Sequence, residues 1–256
     1  MSRNRWQLVS AVLATLFAFT STNAAAQKIG VVLMHGKGGL PNQMVPLADA
    51  LSAAGYLTEN PEMCWSRNRN YDRPYLDCLG AIDSAAARLR ARGATAIVVA
   101  GMSLGGNAAL AYGARHGEIK AVVAIAAAHN PERLINRPSI QKSVAEARQM
   151  VSSGRGDSRA TFTDVNHGKE FTIQTTARIY LSFFDPGGPA ATPPNTARVK
   201  APLLWVAGTS DPTQQGPGYA FAKASNPKNK YVTVPADHMG TLRFSHDAVL
   251  AWLRTL

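Results

Sequence analysis

After residue 26 this chain has no run long and apolar enough to cross a membrane, so no stable membrane insertion is expected of the remainder. No Gly- or Pro-rich linker divides it, which argues against a two-domain split, and it has no internal repeat or low-complexity tract. There is no phosphate-binding loop and no metal-like spacing of Cys, His and Asp, so neither a cofactor nor a metal is expected. Acidic residues are few: 16 Asp and Glu stand against 27 Lys and Arg, a formal charge of +11. The basic residues lack aromatic interleaving and a recognition-helix pattern, which excludes nucleic acid as the expected partner. Electrostatic adhesion to anionic envelope polymers or lipid head groups is expected instead. Cysteine is nearly absent, and Cys64 and Cys78 permit one bridge at most.

Residues 1–26 have the pattern of a secretory signal. Arg3 and Arg5 give a positive start, Leu8 to Phe19 is an apolar core too short to span a bilayer, and Ala24-Ala25-Ala26 offers small residues for cleavage. A mature chain from Gln27, periplasmic or secreted, is the expectation, and no cysteine stands there to take a lipid anchor. Setting Arg3 and Arg5 aside lowers the formal charge only from +11 to +9. The remaining 27–256 stretch is the size of one α/β domain. In an oxidising compartment Cys64 and Cys78, fourteen positions apart, are expected to pair, closing a loop worth about 3 kcal/mol; two free thiols are the alternative.

The chain turns on Ala96-Ile97-Val98-Val99-Ala100, a buried strand that runs into Gly101-Met102-Ser103-Leu104-Gly105-Gly106 and then into a helix. Gly-x-Ser-x-Gly between strand and helix has the shape of a nucleophile elbow, a turn so tight that its serine is strained and its glycines leave room for the neighbouring backbone. A helix-capping serine is the plainer alternative. Upstream, Ile29 to Met34 is a continuous apolar run, as in a strand covered on both faces, and it ends at His35-Gly36-Lys37-Gly38-Gly39. Such a loop can offer a backbone amide to an oxyanion, with one donor at Leu104 and the other at Gly36 or Lys37. His35 reads as a structural hydrogen-bonder.

A helix over 46–55, a strand at 56–58 and a helix over 75–92 enclose a loop bearing Arg67, Arg69 and Arg73. Beyond the carboxyl end of a parallel strand, that loop can border a pocket. Arg67 and Arg69 suit an anionic substrate group, and equally suit ion pairs with Glu62, Asp72 and Asp77 that stiffen the loop. Residues 121–126 form the next strand. Over 131–200 the alternation breaks into a helix at 139–151, two short β-prone pieces near Phe162 and Phe171, a strand-like 178–184 and a Pro/Gly-rich loop, read together as a lid or pocket-wall insertion. A strand at 202–208 ends at Thr209-Ser210-Asp211-Pro212. A helix near 218–224 follows, then a strand at 230–234 ending at Ala236-Asp237-His238-Met239 and a closing helix at 247–253.

Ser103, Asp211 and His238 therefore follow three strand ends, in the chain order of a Ser-acid-His triad. On these motifs, together with the His-Gly loop, the sequence resembles the α/β-hydrolase superfamily. The resemblance implies a compact, mainly parallel sheet of about six strands with helices on both faces. It also implies a nucleophile at Ser103, an acid at Asp211, a base at His238 and an oxyanion hole at Leu104 with Gly36 or Lys37. Met102 stands where many members have His or another residue, which makes the pocket floor more apolar. Asp185 is a rival for the acid, since some relatives place it one strand earlier. Asp237 is expected to point elsewhere, and His129, His167 and His246 are read as ordinary surface or loop histidines. The implied activity is cleavage of carboxylic esters, some of them anionic, through an acyl-enzyme. Dienelactone-hydrolase-like or peptidase chemistry, which Lys37 and the arginine loop would suit, and a non-catalytic envelope-binding role are the alternatives. Nothing in the pattern sets an oligomeric state.

Overall fold

The computed structural model describes residues 27–256; the stretch read as a secretory signal, 1–26, lies outside the described residues. In chain order come β1 (Ile29–Met34), α1 (Val45–Ala53), β2 (Leu57–Glu59), α2 (Tyr75–Cys78), α3 (Gly80–Ala91), β3 (Ala96–Met102), α4 (Leu104–Gly113) and β4 (Ala121–Ile125). Next are α5 (Pro131–Leu134), α6 (Pro138–Ser152), β5 (Arg159–Asn166), β6 (Lys169–Thr176), α7 (Ala177–Phe184) and α8 (Thr192–Arg198). The chain then returns through β7 (Leu203–Gly208), β8 (Lys230–Val234), α9 (Gly240–Phe244) and α10 (His246–Leu253).

Six strands form one parallel sheet in the order β2-β1-β3-β4-β7-β8. Their apolar runs are continuous because both faces are covered. Val32, Met34, Ile97, Val99, Val122 and Ala124 pack toward α3 and α4, while their alternating neighbours Val31, Leu33, Val98, Ala100, Val123 and Ile125 pack toward α1 and α10. Register then places the functional loops. Met34 pairs with Gly101, so the His-Gly loop leaves the sheet beside Ser103, and Gly208 pairs with Val234, so the Asp211 and His238 loops emerge together. All of them leave at the carboxyl ends of the strands, where parallel sheets build their sites.

Cys64 and Cys78 are bridged, with Cα atoms 5.6 Å apart, as the sequence predicts for an oxidised chain.

Two expected elements differ. The strand-like 178–184 stretch is the helix α7: its aromatic and β-branched residues favour a strand locally, but Ala177, Tyr180 and Phe184 recur at helical spacing and are buried, and Thr176 Oγ1 caps the turn by accepting from Ile179 N–H at 3.2 Å. The helix expected near 218–224 shrinks to one 3₁₀ turn, Phe221–Lys223, because Gly216, Pro217 and Gly218 break it on one side and Pro227 on the other. The β-prone pieces near Phe162 and Phe171 prove to be a full hairpin of two eight-residue strands. Its two-residue loop, His167-Gly168, has φ of 49° and 77°, the mirror-image turn whose twist suits a hairpin.

Candidate active site

The turn from β3 into α4 is built as the motif requires. Ser103 sits at φ 57°, ψ −118°, a conformation that a non-glycine residue holds only at a cost of about 1–3 kcal/mol. A Cβ at Gly101 would come within 2.3 Å of the Gly105 carbonyl, and one at Gly105 within 2.4 Å of Met34 O. Neither position tolerates a side chain, because strand, turn and helix meet backbone to backbone.

Ser103 Oγ lies 3.0 Å from His238 Nε2, and His238 Nδ1 lies 2.7 Å from Asp211 Oδ2. With Nδ1–H donating to the carboxylate, Nε2 is left as an acceptor facing the Ser103 hydroxyl. Asp211 Oδ1 accepts from Thr213 N–H at 2.9 Å and from Thr213 Oγ1–H at 2.8 Å. Burial pushes the Asp211 carboxyl up, but the bonds from His238 and Thr213 outweigh it and hold its pKa below the usual value. The rival Asp185 lies at the end of α7 and pairs with Arg148 at 3.0 Å, away from His238, so it does not serve the triad. Asp237 accepts from Gly240 N–H at 2.7 Å.

The His-Gly loop narrows the expected pair of amides. Gly36 N–H already donates to Gln43 Oε1 at 2.8 Å, which removes Gly36 from the pair. Among the described residues, the Lys37 and Leu104 amides donate to no protein acceptor. His35 holds the loop from below: its Nε2 accepts from Met63 N–H at 3.0 Å and its Nδ1 donates to Gly36 O at 2.8 Å. Burial lowers its pKa, which keeps the ring neutral as this pattern requires. The bridged loop adds Trp65, whose indole donates to His35 O and whose carbonyl accepts from Gly38 N–H.

Lys37 does something other than expected, while Arg67, Arg69 and Met102 each take one of the roles expected of them. Lys37 offers no free charge to a substrate, since its ammonium is buried against Asp164 and Val165 O. Asp164 also accepts from Tyr71 O–H at 2.7 Å, and burial first, then this carboxylate, raises the Tyr71 phenol well above its ordinary pKa. Arg69 holds Asp72 through two bonds of 2.9 and 3.0 Å and donates to Glu62 O, the loop-stiffening role. Arg67 remains exposed and borders a small cleft of about 320 Å³ beside Ser103. Met102 lines the same cleft, its sulfur accepting from Gln43 Nε2 at 3.2 Å.

A second cleft of about 580 Å³ opens on the other side of Ser103 and His238. Its wall comes from 128–137 and from the hairpin tip Asn166-His167-Gly168. His167 is exposed in the hairpin loop and His129 is buried in the loop after β4, so both are loop histidines as read, but both line this cleft. His129 is buried at φ 64°, donates from Nε2 to Phe183 O at 3.0 Å, and is pushed well below its usual pKa by burial and by the nearby Lys37. The His167 ring sits edge-on to His238, with centroids 5.9 Å apart. No motif marks these residues in the sequence: His129 arrives on the loop after β4, and His167 reaches the site through the hairpin of 131–200.

Comparison with known proteins agrees with this architecture. The model of the "Alpha/beta hydrolase family" matches residues 31–252. A thermostable monoacylglycerol lipase of Bacillus sp. (strain H-257) is 33% identical over 103 residues, 39% of this chain and 41% of the lipase, so the match spans about two fifths of that relative. Among solved structures, a lipolytic enzyme of the metagenome-derived LipS and LipT pair superposes with a TM-score of 0.66 at 20% identity, covering 90% of this chain and 95% of the other. Monoacylglycerol lipase of Paleococcus ferrophilus gives 0.66 at 22%, covering 88% and 94%. Est1E of Butyrivibrio proteoclasticus, with ferulic acid bound, gives 0.63 at 19%, covering 91% of each chain. The strained serine, the parallel sheet beneath it and a family match running across nearly the whole described chain lead to one placement: the protein belongs to the alpha/beta hydrolase family.

Proposed function

We propose that the protein is a serine hydrolase that cleaves carboxylic esters through an acyl-enzyme. One observation carries the reading: Ser103 Oγ, His238 and Asp211 stand in a continuous hydrogen-bonded line of 3.0 and 2.7 Å, beside two amides with no partner among the described residues. The partial likeness to a monoacylglycerol lipase supports an ester as the scissile group.

A serine hydroxyl is a weak nucleophile until a neutral imidazole takes its proton. As Ser103 Oγ bonds to the ester carbon, its proton passes to His238 Nε2, and the Asp211 carboxylate stabilises the resulting imidazolium. The carbonyl oxygen becomes an oxyanion that the Lys37 and Leu104 amides receive, each donor worth about 3 kcal/mol in the transition state. When the tetrahedral species collapses, the C–O bond to the alcohol breaks and His238 returns the proton to the leaving oxygen. Water then repeats the sequence on the acyl-enzyme, with His238 as base and Ser103 as leaving group. The chemistry asks for no cofactor.

Residues 131–200 act in this reading as the pocket wall. The chain is exported and matures near Ala26; the Cys64–Cys78 bridge is the observation in favour, since disulfides persist in oxidising compartments. Among the described residues no helix is long and apolar enough to cross a membrane. The test is labelling with a serine-directed fluorophosphonate. Modification at Ser103, abolished in Ser103→Ala together with hydrolysis of nitrophenyl esters, is the expected result. An unlabelled wild type that leaves such esters intact would overturn the reading.

A further inference from the structure

Cations outnumber acids along the lining of the wider cleft. Three cations line it: Lys37, Arg133 and Arg137. Lys37 is neutralised by Asp164. Arg133 has no carboxylate of the described residues within ion-pair distance; its guanidinium lies 6.0 Å above the Tyr219 ring. The adjacent carboxylate, Glu132, is engaged elsewhere, by Tyr219 O–H and Thr192 N–H. Arg137 makes only an exposed ion pair at 3.9 Å, through one guanidinium nitrogen, with the Glu170 oxygen that also accepts from Ser139 O–H at 2.7 Å. Asp237, the acidic residue of the cleft wall, accepts from Gly240 N–H, a neutral donor that leaves its charge in place, so within the lining Arg133 and Arg137 together exceed it by one charge.

Backbone turns hold the two arginines together. Asn136 N–H donates to Arg133 O and Arg137 N–H to Leu134 O, so the chain keeps turning beyond α5 and sets the two side chains about one turn apart on the same wall. Like charges at that spacing repel, at a cost of a few tenths of a kcal/mol. An anion between them removes the repulsion, and a guanidinium pair is well shaped to hold one bidentately. The rest of the cleft is different in kind: Ala128, Leu134, Val165, Pro212 and Met239 supply apolar surface between the arginines and the Ser103–His238 pair. A ligand that fits both parts has an apolar body and a charged end.

We propose that Arg133 and Arg137 form an anion-binding subsite, and that the substrate is an ester carrying a negative charge on the portion that fills this cleft. The inference rests on the ester-hydrolase reading for its chemistry, but the subsite itself stands on the geometry of 128–137. It moves the recognition of charge away from the loop of Arg67 and Arg69. Arg69 is occupied by Asp72, and Arg67 borders the other cleft.

The decisive experiment compares three esters at low ionic strength: neutral 4-nitrophenyl butyrate, 4-nitrophenyl hydrogen glutarate with its charge on the acyl side, and 4-(butyryloxy)benzoate with its charge on the alcohol side. Wild type should favour one of the two anionic esters over the neutral one in kcat/KM. In Arg133→Gln/Arg137→Gln that preference should fall at least tenfold, through KM and not kcat, and Arg133→Lys/Arg137→Lys should recover part of it. An unchanged preference in the Gln variant, or Lys no better than Gln, overturns the subsite. A second measurement separates it from catalysis: calorimetric titration of monomethyl glutarate and of benzoate into Ser103→Ala. Binding of either that is lost when both arginines are also changed supports the subsite even if Ser103 proves unreactive. Absence of binding by both overturns it even if neutral esters are cleaved.

Discussion

The strand ends and the 131–200 segment contribute to one site by opposite means. Ser103, Asp211 and His238 project from loops whose positions are set by register in a parallel sheet, so each follows from where its strand stops. Asp164, Asn166, His167 and the two arginines are placed by long-range contacts between a hairpin, short helices and the His-Gly loop. In the proposed function, chemistry is carried by the regular half, and the shape and charge of the larger cleft by the irregular half.

The sharpest way to break that division is to exchange the two candidate acids. Asp211→Asn should lower kcat by about 10⁴, since it disturbs the histidine tautomer while leaving the geometry in place. Asp185→Asn, which loosens only the exposed pair with Arg148, should change kcat less than about twofold. Steady-state kinetics on a nitrophenyl ester decides. Comparable losses in both variants would place catalytic function in the segment assigned here to shape.

The two halves are joined at Lys37, Asp164 and Tyr71, and here the expected effect is on stability first. Removing one partner of a buried ion pair typically costs about 3–5 kcal/mol, because the other charge stays buried without compensation. Asp164→Asn should therefore shift the denaturant midpoint far more than Arg148→Gln, whose exposed pair is worth about 1 kcal/mol or less. Asp164 also anchors the residue whose amide is proposed to receive the oxyanion. Activity in the folded Asp164→Asn variant should fall in kcat while KM for a neutral ester changes little. Equal midpoints for the two variants would mean that the hairpin is not held through this pair.

Reduction of the Cys64–Cys78 bridge, or the double Ser substitution, should cost about 3 kcal/mol by the loop it opens. The bridged loop reaches the sheet side of the site, with Trp65 and Met63 bonded around His35 and the His-Gly turn. Urea unfolding with and without reductant measures the loss. A bridge that contributes nothing would leave those bonds as the whole support of the turn.

How much was legible in the sequence follows the same division. β1, β3, β4 and β7 read as apolar runs because a parallel strand covered on both faces needs no polar alternation, the half-exposed edge strand β8 read from its aromatic and β-branched residues, and each stops at a Gly-, Asp- or His-bearing turn. The pairing of the two cysteines was equally readable from spacing and export. α7 was not: Ile179, Tyr180, Phe183 and Phe184 are good strand formers, and only their burial against the hairpin and Tyr71 decides for a helix. The role of Gln43 was hidden too, because an amide that occupies Gly36 N–H leaves no mark at any recognisable spacing. Arg133 and Arg137 resembled any other surface arginines until the fold turned them to one wall.

The smallest effect concerns pH and tests whether the wall of the larger cleft is also the part that responds to acid. His129 is buried, and burial first, then Lys37, holds its folded pKa well below 6.5. His35, under the His-Gly loop, is lowered by burial as well. For a group whose folded pKa is depressed, the unfolded chain binds the proton first, so stability is unaffected above about pH 6.5 and declines as pH falls below it. Each such histidine contributes a slope approaching about 1.4 kcal/mol per pH unit within its window. His129→Asn, chosen because Asn tolerates the left-handed backbone at φ 64°, removes one of these contributions. Its stability at pH 7 should be lower, since the bond to Phe183 O is lost, but its decline from pH 6.5 to 5 should be shallower than that of wild type. Denaturant unfolding across that range gives both slopes. Parallel slopes would assign the acid sensitivity to His35 and to His246, whose pKa burial also lowers, and would leave the histidine of the pocket wall without a part in it.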